Sequence, residues 1–239
     1  MNEKIRQLKE IIDQTDNLVF FGGAGVSTES GIPDFRSTDG LYNMKYKYPP
    51  ELILSRAFFY EKTDEFFKFY KDKLNCLDKK PNIVHNYLSN LEKRGKLKAI
   101  VTQNIDGLHT KAGNKTIYEL HGTIYRNYCT KCSKSFNAEY VFKSKGIPLC
   151  ECGGIIKPAV VLFGEALPNF EFNSSIEAIK KADMLIVAGT SLTVFPANTL
   201  INYFNGKYLV IINKSTTDFD NKANLVINEN MKKIFSELH

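Results

Sequence analysis

The sequence predicts an α/β fold built on a doubly wound parallel sheet, with a smaller unit inserted into it. Short apolar runs that favour strands alternate with helical patterns along most of the chain, and this alternation is typical of a parallel sheet with helices on both faces. Four of the five cysteines stand in two close pairs. Such pairs indicate a metal-bound module rather than a disulfide framework.

Each element is predicted from a local signal. Apolar residues at helical spacing predict helices, short β-leaning runs predict strands, and proline and glycine mark where elements begin and end. In the first half of the chain, these signals predict a helix around residues 5–12, a strand over 17–21, two short helices within 51–77, a helix from 81 to 95, and strands over 99–102 and 116–120. In the second half, they predict a helix over 174–181, a strand over 184–188, a helix beginning at 196, strands over 208–212 and 225–227, and a closing helix over 231–238.

The composition is that of a soluble globular protein, with 43% hydrophobic residues, 24% charged residues and a formal net charge of +6. The first ten residues include Glu3, Lys4, Arg6 and Lys9, so they lack the apolar centre of a secretory signal. No apolar run approaches the roughly 18 residues of a membrane span. We therefore expect a cytoplasmic protein without membrane contact, and the scattered lysines give no support for nucleic-acid binding.

The stretch from Phe21 to Arg36 reads FGGAGVSTESGIPDFR and follows the first predicted strand. Its glycines let the backbone approach a ligand closely, and successive N–H groups with nearby hydroxyls suit a phosphate; a tight turn without a ligand is the alternative. The G-x-G-x-x-G pattern is incomplete, because Thr28 stands at the third glycine. No carboxylate closes a second strand about 20 residues further on, so the stretch predicts a nucleotide site that does not serve hydride transfer.

Polar groups follow several other predicted strands. The run Gln103 to Asp106 follows the strand at 99–102, His121 follows the strand at 116–120, and Thr190 and Ser191 follow the strand at 184–188. Ligands of open parallel sheets bind beyond the carboxyl ends of the strands. We therefore expect these groups to meet in one crevice with the glycine-rich stretch.

The two cysteine pairs are Cys129-x-x-Cys132 and Cys150-x-Cys152. Thiolates at such spacings close a tetrahedral site around zinc, and four protein ligands leave no open position for a catalytic water. We expect one structural zinc that organises a small module; four unrelated buried thiols are the alternative. Cys76 stands apart and is expected to be a small core residue.

Several motifs follow one another along nearly the whole chain: GAGVSTESGIPDFR at 23–36, TQNID at 102–106, His121-Gly122, the four cysteines, FGE at 163–165, GTSLTVFP at 189–196, and Asn213. This set resembles the sirtuin family of NAD-dependent protein lysine deacylases. The resemblance implies a Rossmann-like NAD-binding domain formed by residues 1–36, 78–122 and 160–239. It also implies a smaller domain made of a helical insert at 37–77 and a zinc-binding module at 123–159, with the acyl-lysine protein substrate bound in the cleft between the domains.

The resemblance further implies the residues of the site. Those that would line the cofactor are Ala24, Thr28, Phe35, Arg36, Gln103, His121, Thr190, Ser191, Asn213 and Asn230, while Ile105 and Asp106 would hold the nicotinamide amide. Those that would contact the substrate are Val161, Phe163, Gly164, Glu165, Thr193 and Val194. A peptide added as a strand between these segments is held through its main chain, so many sequences would be accepted.

The same resemblance assigns catalysis to His121 and Asn104. In sirtuin chemistry nicotinamide leaves, the acyl oxygen attacks the anomeric carbon of the ribose, and a base activates a ribose hydroxyl. His121 suits that base, because an imidazole with an ordinary pKa of about 6.5 accepts a proton at neutral pH. Asn104 would position the ribose and a water, and Phe35 would shield the reacting carbon from water. Asp34 is expected to pair with Arg36 and fix the loop.

Deacetylation is the expected activity, with NAD and one zinc as cofactors and nicotinamide as a product. Sirtuins that remove acidic acyl groups carry Tyr-x-x-Arg in the helical insert, where this chain has Tyr70 and Lys73. Lysine lacks the planar, two-pronged geometry of arginine, so we expect weak or no desuccinylation. The alternatives are a preference for succinyl or longer acyl groups, and mono-ADP-ribosylation of proteins on the same scaffold. A zinc-ribbon binding module without enzymatic activity would leave His121 and Asn104 unexplained.

Overall fold

A computed structural model describes residues 2–35, 40–43 and 46–238. The elements in chain order are α1 (Glu3–Gln14), β1 (Leu18–Gly22), α2 (Pro50–Ile53), α3 (Arg56–Glu61), α4 (Thr63–Lys73), α5 (Ile83–Lys93), β2 (Leu97–Thr102), α6 (Leu108–Lys111), β3 (Ile117–Glu119), β4 (Gly122–Cys129), β5 (Ser135–Phe136), α7 (Ala138–Lys143), β6 (Ile156–Val160), α8 (Asn169–Lys181), β7 (Met184–Ala188), β8 (Tyr208–Ile212), β9 (Leu225–Ile227) and α9 (Met231–Glu237). Short 3₁₀ helices lie at Ala24–Val26, Thr28–Ser30, Leu41–Asn43, Ala197–Tyr203 and Asp220–Lys222.

Six strands form one parallel sheet in the order β3-β2-β1-β7-β8-β9. The chain runs outward from β1 through β2 to β3, and its second half begins at β7, which pairs with the other edge of β1. This is the predicted doubly wound α/β fold. Its topological switch point lies between β1 and β7, which is the place where such sheets bind ligands.

Two apolar layers cover the faces of the parallel sheet. One layer joins Phe20 to Leu8 of α1 and Leu88 of α5, and the other joins Phe21 to Ile179 of α8. Successive residues of a strand point to opposite faces, so the two phenylalanines enter different layers. All residues of β1 and β7 are buried, which explains why these strands read as continuous apolar runs.

A smaller unit combines the antiparallel sheet β5-β4-β6 with helices α2, α3, α4 and α7. Its apolar cluster is rich in aromatic rings: Phe59 meets Phe66 edge-on with ring centroids 5.0 Å apart, and Tyr70 stacks on Phe142 of α7. Most of the aromatic residues of α3 and α4 are buried in this cluster and form much of its core. Cys76 belongs to the same cluster and is buried, as predicted.

The strands β7, β8 and β9 have the predicted bounds, whereas several other bounds were wrong. β1 extends to Gly22, because this glycine continues the ladder to both neighbouring strands. α8 begins at Asn169 rather than at 174, directly after Pro168. The segment predicted as two helices forms three, because the Ser55 hydroxyl accepts the N–H of Phe58 and starts a new helix.

The helix predicted to begin at Pro196 is a 3₁₀ helix that starts one residue later. The other predicted elements differ from their predicted bounds by a few residues at their ends, as β2 does by beginning at Leu97. Along the described ranges, no helix combines the length and the apolar character needed to cross a bilayer.

Candidate active site

A cleft of about 670 Å³ opens where β1, β2, β7 and β8 reach their carboxyl ends. It brings together most of the residues predicted for the site: Ala24, Thr28, Phe35, Gln103, Asn104, Ile105, Asp106, His121, Val161, Phe163, Gly164, Glu165, Thr190, Ser191, Val194, Asn213 and Asn230. The predicted convergence of several strand ends in one crevice is confirmed. The cleft also borders the smaller unit, because Leu54, Leu74 and Cys76 line it.

The backbones of the first glycine-rich turn and of the turn after β7 meet at the switch point. Gly25 donates its N–H to the carbonyl oxygen of Gly189 at 2.9 Å, and a Cβ atom on Gly25 would lie 2.7 Å from the Gly189 Cα atom. Gly189 has a φ of +62°, which favours glycine. Side chains at these two positions would separate the turns and change the floor of the cleft.

A buried polar network joins the first turn to the end of β2. The hydroxyl of Ser27 donates to Oδ2 of Asp106 at 2.6 Å and accepts from Nδ2 of Asn104 at 3.1 Å. The other oxygen of Asp106 accepts the N–H of Leu108. Burial raises the pKa of Asp106, and the hydrogen bonds from Ser27 and Leu108 oppose that rise. The network therefore fixes an amide and a carboxyl group side by side at the inner end of the cleft.

His121 lies at the end of the short connection after β3. Its Nδ1 atom is 3.0 Å from the carbonyl oxygen of Gln103, and its own carbonyl accepts the N–H of Val161. A carbonyl only accepts, so we assign the proton to Nδ1, which leaves Nε2 as the basic nitrogen. Burial lowers the pKa of His121. The ring is therefore neutral at pH 7 and able to take up a proton.

On the other side of the switch point, the side chain of Asn213 makes two hydrogen bonds to the backbone of Thr190. Asn213 accepts the N–H of Thr190 at 3.1 Å and donates Nδ2 to the Thr190 carbonyl at 3.0 Å. The Thr190 hydroxyl accepts from Nε2 of Gln103. These contacts tie the ends of β7, β8 and β2 together, so the polar groups of three strands form one surface.

The FGE segment forms a turn at the edge of the cleft. Phe163 donates its N–H to the carbonyl of Leu54 and accepts the N–H of Arg56, so it pairs in parallel with the start of α3. Gly164 has a φ of +87°, and Glu165 returns its N–H to the carbonyl of Leu162. Phe163 remains 45% exposed and lines the cleft.

Three predicted site residues, Arg36, Thr193 and Asn230, need separate description. Arg36, and with it the predicted pair of Asp34 and Arg36, lies outside the described residues. Thr193 is not among the described residues that line the cleft, and its hydroxyl lies 2.8 Å from that of Ser191. Asn230 lines the cleft but also caps α9, since it accepts the N–H of Lys232.

Tyr70 and Lys73, the two residues of the helical insert on which the predicted acyl preference depends, differ in their exposure. Tyr70 is fully buried, its hydroxyl has no hydrogen-bond partner among the described residues, and burial raises its pKa. Lys73 lines the cleft, but its Nζ atom lies 2.8 Å from the carboxylate of Asp72. The tyrosine hydroxyl is therefore withdrawn from the cleft, and the lysine charge is already paired.

Some residues of the cleft were missed by the sequence reasoning. Ser27 was noted only as a hydroxyl near a phosphate, although it is the centre of the buried network. The run 214–217 lines the cleft beyond β8. Asn213 itself was implied only by the resemblance, and the strand-end rule applied to β8 would have indicated both Asn213 and this run.

The four cysteines form a cluster at the end of the small sheet. Their sulfur atoms all lie within 4.8 Å of one another. The N–H groups of Lys131 and Cys132 point at Sγ of Cys129, at 3.4 and 3.5 Å, and such donors stabilise a thiolate. A Cβ atom on Gly154 would lie 2.4 Å from the same sulfur. The donor set and its spacing therefore fit a four-thiolate zinc site, with glycine required beside it.

Comparison with known proteins identifies the family. A family model described as the Sir2 family matches residues 23–196. The chain therefore belongs to the Sir2 family, as the motifs predicted. The NAD-dependent protein deacetylase of Clostridium acetobutylicum is 56% identical over 97% of this chain and 96% of its own length. That of Clostridium perfringens is 54% identical over 100% of this chain and 99% of its own length.

Solved structures agree with this placement. A Sir2 structure with a p53 peptide and NAD+ is 36% identical to this chain and has a TM-score of 0.88. The match covers 100% of this chain and 97% of that chain. A Sir2 structure with a deacetylated p53 peptide and 3′-O-acetyl ADP ribose has a TM-score of 0.91 at 36% identity, with 98% of this chain and 96% of that chain covered. The fold of this chain is thus that of Sir2 structures.

Proposed function

We propose that the protein is an NAD-dependent protein lysine deacetylase, which moves the acetyl group of acetyl-lysine onto ADP-ribose and releases nicotinamide and free lysine. One observation carries this function: His121, Asn104 and Asp106 line the same cleft. They lie beside the contact between the turns at Gly25 and Gly189. The Sir2 family and the relatives named NAD-dependent protein deacetylase support the same conclusion.

NAD, when bound, supplies an electrophilic anomeric carbon and a good leaving group, nicotinamide. Ala24 and Thr28 would hold its phosphates, and Thr190, Ser191 and Asn213 would hold its adenosine end. The network around Ser27 supports a nicotinamide amide at Asp106, because a fixed carboxyl group next to a fixed amide suits a ligand with both a donor and an acceptor.

His121 would act as the general base. Its neutral ring and the contact of Nδ1 with Gln103 leave Nε2 directed to accept a proton from a hydroxyl group in the cleft. Asn104 would orient that hydroxyl group and a water. Because its amide also donates to Ser27, Asn104 holds one orientation without a charge.

Phe35 would exclude water from the reacting end. It packs against the apolar cluster of the smaller unit, with its ring centroid 5.5 Å from that of Tyr42. An apolar ring beside the reacting carbon favours transfer to the acyl oxygen over hydrolysis.

The acyl-lysine peptide would lie between the FGE turn and the segment at 193–194. Phe163 and Phe195 are 45% and 78% exposed beside the cleft, and Val161 continues the apolar wall inward. Main-chain groups of Gly164 and Glu165 would pair with the peptide backbone, which makes recognition largely independent of sequence.

We further propose that residues 1–36, 78–122 and 160–239 form the NAD-binding domain and that the rest form the smaller domain. The separate apolar cluster of the smaller unit supports this division. One zinc bound by the four cysteines would be structural, since all its ligands come from the protein.

Acetyl groups are the expected substrate because the cleft offers little to an acidic acyl group. The Tyr70 hydroxyl is buried and the Lys73 ammonium is paired with Asp72. Matched acetyl-lysine and succinyl-lysine peptides should show faster turnover of the acetyl form. Faster turnover of the succinyl form would contradict this preference and favour the alternative acyl specificity.

The function is tested by mass spectrometry of the products. Incubation with NAD and an acetyl-lysine peptide should yield free lysine, nicotinamide and O-acetyl-ADP-ribose in equal amounts, and added nicotinamide should inhibit the reaction. A peptide that gains the mass of ADP-ribose while keeping its acetyl group would indicate ADP-ribosyl transfer instead. Omission of NAD, with no turnover expected, is the control.

A further inference from the structure

Lys157 links the module that carries the four cysteines (residues 123–159, here called the cysteine module) to the FGE turn, which forms one edge of the cleft. It follows Ile156 in β6, and the register partner of Ile156 in β4 is Cys129. The Lys157 side chain is only 4% exposed, and its Nζ atom lies 3.1 Å from Oε2 of Glu165. A buried ammonium that loses its partner is strongly unfavourable, so this contact fixes the position of Glu165 relative to β6.

The surroundings of Lys157 define a single position for its charge. The three donors of the ammonium have three acceptors: the carboxylate of Glu165 and the carbonyl oxygens of Pro158 and Val160, which lie 3.3 and 3.2 Å away. The ring of Phe59 also faces the Nζ atom, with its centroid 6.0 Å away. Burial lowers the pKa of Lys157, while Glu165 favours its charged form.

The same carboxylate closes the FGE turn from within. Oε2 of Glu165 accepts the N–H of Leu162 at 2.9 Å in addition to the lysine contact. The turn is anchored a second time through the pairing of Phe163 with the backbone at Leu54 and Arg56. Glu165 is therefore shared between the internal closure of the turn and its attachment to the cysteine module.

We propose that Lys157 is a positioning residue that sets the affinity for the acyl-lysine peptide by holding Glu165 and the turn at 162–165. This inference rests on the proposed function for the identity of the ligand. A peptide that adds as a strand needs the main-chain groups of the turn already in place, because the cost of ordering them would otherwise be subtracted from the binding energy. NAD would be held at other strand ends, so its affinity should not depend on this pair.

The experiment measures the binding of an acetyl-lysine peptide and, separately, of NAD by isothermal titration to the zinc-loaded protein. The variants are Lys157→Met, Glu165→Gln and the double variant. Lys143→Met is the matched control, because it removes an exposed lysine of the same module that pairs with Glu139. Each single variant should bind the peptide about tenfold more weakly, which is a typical coupling between linked sites. NAD affinity should change by less than about twofold, and the double variant should be no weaker than the weaker single variant, as expected for two residues acting through one contact.

Wild-type peptide affinity in both single variants would overturn the inference, as would a parallel loss of peptide and NAD affinity or additive losses in the double variant. If Lys157→Met does not fold, Glu165→Gln carries the test, since the glutamine keeps an acceptor for the N–H of Leu162. A wild-type protein that binds the peptide but forms no O-acetyl-ADP-ribose would refute the proposed function, and the effect of the variants on binding would still be measured.

Discussion

The Nδ1 atom of His121 donates to the carbonyl oxygen of Gln103 across a distance of 3.0 Å. This contact attaches the candidate base to the strand end that also carries Asn104 and Asp106. It also sets the tautomer, because the carbonyl accepts and cannot donate. The backbone at the end of β2 thus fixes the orientation of the imidazole and the tautomer of the candidate base.

Replacement of His121 by alanine should lower kcat for deacetylation by about 10²-fold or more, the usual contribution of a general base. Burial lowers the pKa of His121, and the ring is active when neutral. Activity should therefore rise with pH through a midpoint below 6.5 and be level around pH 7. Rates between pH 5 and pH 8 test this. Full activity of the variant, or a midpoint above the ordinary histidine pKa, would contradict the role.

Replacement of Ser27 by alanine should lower the free energy of unfolding by about 1–3 kcal/mol, because it leaves buried polar groups without a partner. Ser27 is 1% exposed and serves both Asp106 and Asn104. Denaturant unfolding gives the value. Ser236→Ala is the control, since that hydroxyl bonds to the Lys232 carbonyl on an exposed helix face, and its effect should stay within about 0.5 kcal/mol.

The sequence was sufficient for the elements whose signal is local. The strands β7, β8 and β9 are uninterrupted apolar runs between turn residues, so their bounds were predicted correctly. The start of α8 was missed, because Phe170 near its N-terminus is 74% exposed and breaks the apolar periodicity. In the segment at 51–77, aromatic residues on several faces obscured the breaks between the helices.

The contacts that shape the site could not be predicted, because they join distant parts of the chain. Ser27 and Asp106 are 79 positions apart, and nothing near either residue identifies the other as its partner. Lys157 and Glu165 are closer in sequence, but their pairing depends on how the FGE turn folds back over β6. The strand-end rule placed Ser27 and Asp106 in one region and left their partners open, and it did not extend to Lys157 or Glu165.

Removal of the metal should unfold the cysteine module. The purified protein should contain about one zinc per chain, and Cys129→Ser should lose it, because the remaining three thiolates no longer complete the site. Zinc content by elemental analysis and thermal unfolding are the measurements. Cys76→Ser is the control, since Cys76 is buried away from the four-cysteine cluster and should keep the metal. Unchanged zinc content in Cys129→Ser would disprove the ligand set.

Stability should fall in mild acid because of a buried histidine pair. The rings of His85 and His109 lie 4.7 Å apart, and burial lowers the pKa of His85 to about 4 and that of His109 well below its ordinary value. Both rings are neutral in the folded protein, whereas the unfolded chain binds protons below a pH of about 6.5. Stability is therefore fully present above that pH and is lost as the pH falls.

The loss should reach about 1.4 kcal/mol per pH unit for each histidine between pH 6.5 and about 4. Denaturant unfolding at a series of pH values gives the slope. His109→Phe keeps an aromatic ring next to Phe20 and removes one titrating group, so it should lower the slope by about 1.4 kcal/mol per pH unit. The same slope in the variant and the wild type would show that this pair does not control acid stability.

Replacement of Gly122 by alanine should be far more damaging than replacement of Gly146, although both glycines have positive φ angles of +71° and +62°. A Cβ atom on Gly122 would lie 1.9 Å from the carbonyl oxygen of Ala159, whereas one on Gly146 would have no atom within 4 Å. Gly146→Ala should therefore cost only the left-handed backbone penalty of about 1–2 kcal/mol. Gly122→Ala must also separate β4 from β6 and displace His121, so it should lower both stability and deacetylation. Unfolding curves and kcat for the two variants test this, and equal losses of stability would contradict it.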